Sequence, residues 1–193
     1  MMHTSFFGYG SLVNVATHTY AAPRPASLRG WRRIWRGTNL REVAYLSVIR
    51  DETTTLRGII ADVPDNDWSA LDAREAAYQR HDVSDQVDHA GVTGVYQVCP
   101  AHIAPEDAHP ILLSYVDVVA QGYLRMFGEE GLAHFFATTD GWGAPILDDR
   151  ADPIYPRHQT LSHRETCLVD DHLAAVVRQT ARIRASAGPV AKA

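Results

Sequence analysis

The run Ser5-Phe6-Phe7-Gly8-Tyr9-Gly10-Ser11-Leu12 constrains the fold of this chain more than any other stretch. An apolar, aromatic segment of strand character leads straight into a Gly-x-Gly-Ser turn. Glycines flanking Tyr9 permit backbone angles closed to other residues and a close approach to a ligand. Successive backbone N–H groups in such a turn can form a concave nest for a carboxylate or phosphate. Stock motifs do not fit. A dinucleotide fingerprint needs a third glycine where Val13 stands. A nucleophile elbow needs glycines around Ser11 where Tyr9 and Val13 stand, and no Lys-Ser/Thr pair follows to make a phosphate loop. Taken alone, the turn is also compatible with an ordinary strand end.

The 193 residues are enough for one domain with a usable core, and 46% hydrophobic with 21% charged residues is ordinary globular composition. A net charge of -5 offers no global attraction to nucleic acid or anionic lipid. The cluster Arg29, Arg32, Arg33 and Arg36 alternates with Trp31, Ile34 and Trp35, which reads as one face of a strand. Cys99 and Cys167 are too few for a disulfide framework, and a reducing compartment follows. With no signal-peptide pattern and no apolar run long enough to span a bilayer, the expectation is a cytoplasmic protein without nucleic-acid or membrane partners.

Strand signals fall at residues 4–8, 27–37, 43–49 and 53–63, with an irregular stretch at 14–25. Pro64-Asp65-Asn66-Asp67 then introduces a helix over Trp68–Ala77. Strand character returns at Tyr78–Val87 and Val92–Val98, followed by a loop at Pro105–Pro110. A long helix over Ile111–Phe127 breaks at Gly128, and a short one is expected over Glu129–Thr138. Residues 138–157 hold Gly141, Gly143, Pro145, Pro153 and Pro156 with Trp142 and Tyr155, which suggests a lid-like binding loop. A last helix covers Leu168–Arg184. The expectation is a single domain over residues 1–184 and a flexible tail over 185–193.

Glu75 is the candidate proton carrier. On a helix, Trp68, Leu71 and Glu75 stand at i, i+3 and i+7 on one face, with Glu75 within about 20° of Trp68. That places a carboxylate in the apolar stripe, where burial raises its pKa unless a cation pairs with it. Periodicity leaves a second fate open: at a helix end Glu75 reaches solvent or pairs with a nearby arginine, since charged residues are seldom buried.

Phe7-Gly8-Tyr9-Gly10-Ser11-Leu12 together with Leu71-Asp72-Ala73-Arg74-Glu75-Ala76-Ala77-Tyr78 resembles the γ-glutamylcyclotransferase superfamily, which includes ChaC-type and AIG2-like proteins. The first motif is similar to its Y-G-S loop and the second to its L-D-x-R-E helix end. Tyr115 followed by Gly122 resembles the superfamily's tyrosine-to-glycine helix. The matches span residues 6 to about 127. The resemblance implies an α+β fold: a small mixed β-barrel surrounded by helices, with a cavity at one end. It implies no metal and no cofactor. The implied reaction is intramolecular, the α-amine of a γ-glutamyl group attacking its own γ-carbonyl to give 5-oxoproline and a free amine. By that resemblance the backbone of Tyr9, Gly10, Ser11 and Leu12 holds the glutamyl carboxylate. Glu75 moves the proton, and Tyr115 and Tyr78 line the pocket. Leu12 stands where many general members have asparagine, and the Pro-Gly turn of ChaC-type proteins is missing near Glu42 and Val43. The substrate therefore stays open between glutathione, another γ-glutamyl dipeptide and a γ-glutamyl amine, as does the oligomeric state. The rival reading is a non-catalytic small-molecule binding module that keeps the cavity.

Other clusters point elsewhere. His81, Asp82, Asp85, Asp88 and His89 match no closed zinc spacing and read as a solvated hairpin. Asp148, Asp149, Arg150 and Asp152 read as an ion-paired surface loop. Cys99 and Cys167 read as small buried side chains, and no histidine is tied to Ser11 by a recognisable nucleophile motif.

Overall fold

The computed structural model describes residues 4–104 and 109–187. Its elements run β1 (Thr4–Gly8), β2 (Arg24–Gly37), β3 (Ala44–Asp62), α1 (Ser69–Arg74), β4 (Tyr78–Asp82), β5 (Val92–Val98), β6 (Ile111–Leu112), α2 (Leu113–Ala137), β7 (Thr139–Asp140), β8 (Ile146–Leu147) and α3 (His163–Ala187). Six strands form one mixed sheet in the order β4-β5-β1-β3-β2-β7, and β6 and β8 make a short parallel pair. β1 lies inside the sheet, antiparallel to β3 and parallel to β5. Its neighbouring aromatics divide between the faces. Phe7 joins the large core with α2 and α3, and Phe6 joins a smaller cluster with Leu12, Val63, Leu71 and Tyr96.

The α+β architecture matches the expectation, but the sheet is not closed into a barrel. Among the described residues, one isolated bridge, Leu28 with Val87, links the β2 and β4 sides. Closure fails because β4 stops at Asp82, whose carboxylate accepts a hydrogen bond from the Ser84 amide at 2.9 Å. The chain then turns through a 3-10 segment at Ser84–Gln86, so the strand expected over Tyr78–Val87 is only half a strand.

The two strands expected at 43–49 and 53–63 are one 19-residue strand, β3. Arg29 pairs with Thr55 but Trp31 pairs with Arg50, so Asp51–Thr54 bulge out of the ladder. Asp51 holds the bulge, accepting from the Thr53 amide at 3.0 Å and from the Thr53 and Thr54 hydroxyls at 2.7 and 2.6 Å. The bulge also resets the phase of β2, so that Leu28, Trp31, Arg33 and Trp35 are all buried. The arginine cluster therefore does not share one face of the strand as expected: Arg33 is fully buried while Arg29 is exposed.

α2 keeps the expected break at Gly128 (φ 68°, ψ -166°), yet its two halves form one element. α3 begins at His163 rather than Leu168, because Ser162 and Glu165 form a capping box. The Glu165 carboxylate accepts from the Ser162 amide at 2.7 Å, and the Ser162 hydroxyl accepts from the Glu165 amide at 3.3 Å. α3 runs to Ala187, past the boundary expected at 184. The rest of the expected tail and residues 105–108 of the expected loop lie outside the described residues. Cys99 is half-buried and Cys167 exposed, not two buried side chains. Among the described residues no helix is long and apolar enough to cross a membrane.

Candidate active site

β1 leaves its ladder at Gly8, opposite Ile59. A 3-10 turn at Ser11–Val13 follows, closed by Val13 N–H to the Gly10 carbonyl at 3.0 Å and Asn14 N–H to the Ser11 carbonyl at 3.1 Å. The opening amides of a helical turn have no partner within it. Among the described residues, those of Gly10, Ser11 and Leu12 enter no backbone–backbone hydrogen bond.

The turn is held from behind. The Tyr9 carbonyl accepts from Arg33 Nε and from the Tyr123 hydroxyl, each at 3.0 Å. Arg33 also donates to the Thr138 hydroxyl and the Arg57 carbonyl at 2.6 Å each, and to the Tyr123 hydroxyl. Its guanidinium lies 4.8 Å from the centre of the Tyr123 ring, and among the described residues no carboxylate pairs with it. In a trans peptide the C=O and N–H point in opposite directions. Fixing the Tyr9 carbonyl on Arg33 therefore turns the Gly10 amide away from it.

α2 braces the other side. Asn14 Nδ2 donates to the Val118 carbonyl at 2.9 Å and to Gln121 Oε1 at 3.0 Å. A Cβ at Gly122 would lie 2.6 Å from the Asn14 backbone nitrogen, so only glycine permits this crossing. Tyr115 stands two turns earlier on the same helix face. Its hydroxyl would meet a Cβ at Gly10 at 2.8 Å. The tyrosine-to-glycine spacing thus grips the turn at two points.

Glu75 arrives from the opposite wall. Asp67 starts α1 by accepting from the Ser69 amide at 2.9 Å. The helix is only six residues long, not the expected Trp68–Ala77, because Glu75 departs from helical angles (φ -101°, ψ 32°). Its amide still reaches the Leu71 carbonyl at 2.9 Å, and its carbonyl accepts from the Tyr78 amide at 2.8 Å. Both fates left open by periodicity are realised together. The Glu75 side chain is 16% exposed, and Arg74 Nε lies 3.3 Å from Oε1. Burial raises the carboxyl above its ordinary value, while Arg74 and Arg157 pull it down.

Two adjoining compartments result. An outer cavity of about 200 Å³ and an inner recess of about 30 Å³ share Ser11, Leu46, Glu75, Tyr78 and Tyr115 as walls. Tyr9, Gly10 and Leu12 border the inner recess. All seven residues singled out in the sequence therefore meet at this place. Burial raises the Tyr9, Tyr78 and Tyr115 phenols, which stay protonated. The Tyr9 hydroxyl donates to the Tyr96 carbonyl at 2.6 Å and that of Tyr78 to the Leu46 carbonyl at 3.0 Å, so both rings brace strands.

The 138–157 stretch divides. Trp142, expected as a cavity contact, is buried against Trp35, Phe135 and Phe136 and lines neither compartment. Tyr155 does line the cavity, edge-on to Tyr115 at 4.8 Å. The stretch is tied down by Asp149, a buried residue rather than part of a surface loop. Asp149 accepts from the Ser114 amide and hydroxyl at 2.8 and 2.5 Å and from the Ile154 amide at 2.9 Å. Arg150 is ion-paired, with Asp117 at 2.7 Å and Asp170 at 2.8 Å.

Arg33, Arg41, Arg74, Tyr45 and Arg157 belong to the site or its support, though the sequence motifs assign none of them a role. Arg33 shares its strand phase with Trp31 and Trp35, a signal of burial present in the sequence itself. The contribution of Arg41 and Arg157 depends on long-range folding and leaves no local pattern. Among the described residues no group of three or more His, Cys, Asp or Glu is placed to hold a metal ion.

No protein-family model and no curated protein sequence matches the chain. Solved structures do. An uncharacterized human protein superposes with a TM-score of 0.57 at 12% identity, over 88% of this chain and 99% of that one. A γ-glutamyl cyclotransferase gives 0.55 at 11%, over 88% and 99%. YkqA from Bacillus subtilis gives 0.55 at 19%, over 72% of this chain and 56% of its own. With an open six-stranded mixed sheet and a cavity between the first-strand turn, α1 and α2, the chain has the fold of the γ-glutamylcyclotransferase superfamily.

Proposed function

We propose that this chain is a γ-glutamylcyclotransferase, converting a γ-glutamyl compound to 5-oxoproline and a free amine. One observation carries the reading. A largely enclosed carboxylate, Glu75, shares a recess with the glycine turn whose opening amides have no backbone partner. The turn supplies N–H donors for the glutamyl α-carboxylate. Holding the α-amine against its own γ-carbonyl supplies orientation, worth several orders of magnitude in rate. The nucleophile belongs to the substrate, so no serine or cysteine nucleophile is required.

The α-ammonium gives a proton to ionised Glu75, and its nitrogen bonds to the γ-carbon. The carbon–nitrogen bond to the leaving amine then breaks. Two protons pass in all from the α-nitrogen to the departing nitrogen, with Glu75 as carrier. Burial moves Glu75 toward the pKa of the amines it serves, which favours transfer in both directions. Tyr115, protonated at the mouth of the recess, is placed to donate a hydrogen bond to the substrate.

The test is an assay of 5-oxoproline across a panel of γ-glutamyl compounds, with binding measured separately. Glu75→Gln keeps shape and hydrogen bonding but cannot carry a proton. Turnover in this variant should fall by about 10²–10⁴-fold with binding retained. Near-normal turnover in Glu75→Gln would falsify its role. Binding without 5-oxoproline from the wild-type protein would favour the non-catalytic binding module.

A further inference from the structure

We infer that Thr17 and His18 are positioning residues that couple the glycine turn to Glu75, by fixing the peptide group on which Arg74 rests. Both lie in the strap between β1 and β2, and neither borders the two compartments. Val15, Ala16 and Thr19 are exposed, so polar contacts rather than apolar burial hold this part of the strap. The Thr17 hydroxyl is shared between the Ser11 and Asn14 carbonyls, 2.9 Å from each. His18 is partly buried against the Phe6 and Tyr20 rings, and its Nε2 lies 2.9 Å from the Leu12 carbonyl. A carbonyl only accepts, so Nε2 carries the proton. The Tyr20 amide donates to Nδ1 at 3.2 Å, so the imidazole is neutral and both its nitrogens are engaged. Burial, aided by the Arg74 charge, holds the imidazole below its ordinary value and keeps it in this form.

The two side chains grip opposite ends of a single planar unit. The Thr17 carbonyl and the His18 amide belong to one peptide group. Its flanking side chains are tied to the carbonyls of Ser11 and Leu12, in the same turn whose amides open the recess. The oxygen of that peptide group accepts from Arg74 Nη1 at 3.3 Å. Arg74 in turn places Nε 3.3 Å from Glu75 Oε1, and its Nη2 is buried without a partner. Among the described residues, the Thr17 carbonyl is therefore the only oxygen that Arg74 meets besides that of Glu75. If this carbonyl moved, nothing else would hold the guanidinium against the carboxylate. The turn and the proton carrier stand on opposite walls of the site, and the strap joins them through this one contact chain.

A carbon NMR titration of the Glu75 carboxyl tests the coupling without any substrate. His18→Leu removes both ring contacts, whereas His18→Gln keeps a donor for the Leu12 carbonyl and an acceptor for the Tyr20 amide. The expected Glu75 midpoint in His18→Leu is higher by about 1 pH unit, because the Arg74 charge that lowers it is no longer held close. In His18→Gln the midpoint should match the wild type. A loss of stability alone moves neither. The effect on turnover rests on the cyclotransferase reading. With whichever compound of the γ-glutamyl panel yields 5-oxoproline, kcat/KM should fall about 10-fold in His18→Leu, the range of one hydrogen bond, and recover in His18→Gln. If no compound yields 5-oxoproline, that reading fails and the titration alone decides the coupling. If His18→Leu does not fold, Thr17→Val takes its place, removing the hydroxyl but not the branched shape, with the same expected shift. A Glu75 midpoint unchanged in the folded variant, or moved equally by His18→Leu and His18→Gln, overturns the inference, as does a wild-type kcat/KM in His18→Leu.

Discussion

At the scale of single residues, the site depends on how Arg74 and Glu75 share one environment. Burial is the largest influence on Glu75 and raises it; the Arg74 and Arg157 charges lower it. Proton acceptance needs the ionised form, so turnover should rise with pH through the Glu75 ionisation. Removing the Arg74 charge leaves burial less opposed. The acid limb of the kcat/KM profile should therefore move to higher pH in Arg74→Gln, and a limb that stays in place would show that the pair is not coupled. Ser11 provides the contrast. Its proposed contribution is its backbone amide, so Ser11→Ala should lose less than about 10-fold in turnover, well short of the loss from removing a general acid–base. A dead Ser11→Ala that still binds substrate would revive a serine nucleophile. Arg33 acts one step further back: through the Tyr9 carbonyl it orients the turn and never borders either compartment.

At the scale of elements, the crossing of α2 over the turn after β1 decides whether a recess exists. Gly122 lies against backbone atoms of Asn14, which cannot swing aside as a flexible side chain would. Gly122→Ala should cost about 1–3 kcal/mol of stability, the usual penalty for overpacking. It should also weaken ligand binding, because Asn14 follows the nest directly. Urea unfolding with a parallel binding titration checks both, and wild-type values for both would mean that the crossing is loose. Much of this level is legible in the sequence. The β1 run, the Tyr115-to-Gly122 spacing and the Glu75 motif are local patterns, and each stands where the cavity forms. What is not legible depends on capping and bulge chemistry over a few residues. Asp51 fuses two expected strands into β3, Asp82 ends β4 early, and the Ser162–Glu165 box starts α3 a full turn before its apolar stripe. Trp142 misleads for a different reason: its loop setting suggests exposure, but an aromatic cluster of Trp35, Phe135 and Phe136 claims the ring.

At the scale of the whole molecule, two partly buried titratable groups pull stability in opposite directions with pH. His134, near the end of α2, accepts a hydrogen bond from the Arg57 amide at 3.1 Å through Nε2. Burial, with the Arg33 and Arg57 charges, pushes its imidazole down to about 4 from 6.5. Between those values the unfolded chain binds more protons than the folded one, so stability falls as pH drops from 6.5 through about 4. Asp149 and Glu165, both held below their ordinary values, add to the acid loss at still lower pH. Glu75 has the opposite sign. Its raised pKa means that the folded state prefers the protonated acid, so its ionisation lowers stability as pH rises through that value. Two variants separate the contributions. His134→Gln keeps an acceptor for the Arg57 amide without a titrating ring, and its unfolding midpoint should fall less between pH 6.5 and 4 than that of the wild type. Glu75→Gln should be more stable than the wild type at pH 7, with the difference shrinking as the medium is acidified toward the ordinary carboxylate range. Such a gain would identify Glu75 as a group kept at a cost to the fold, as proton-transfer sites commonly are. Thermal unfolding of the three proteins across this pH range measures both effects. A Glu75→Gln variant less stable than the wild type at pH 7 would show instead that its ion pair with Arg74 outweighs the burial of the charge.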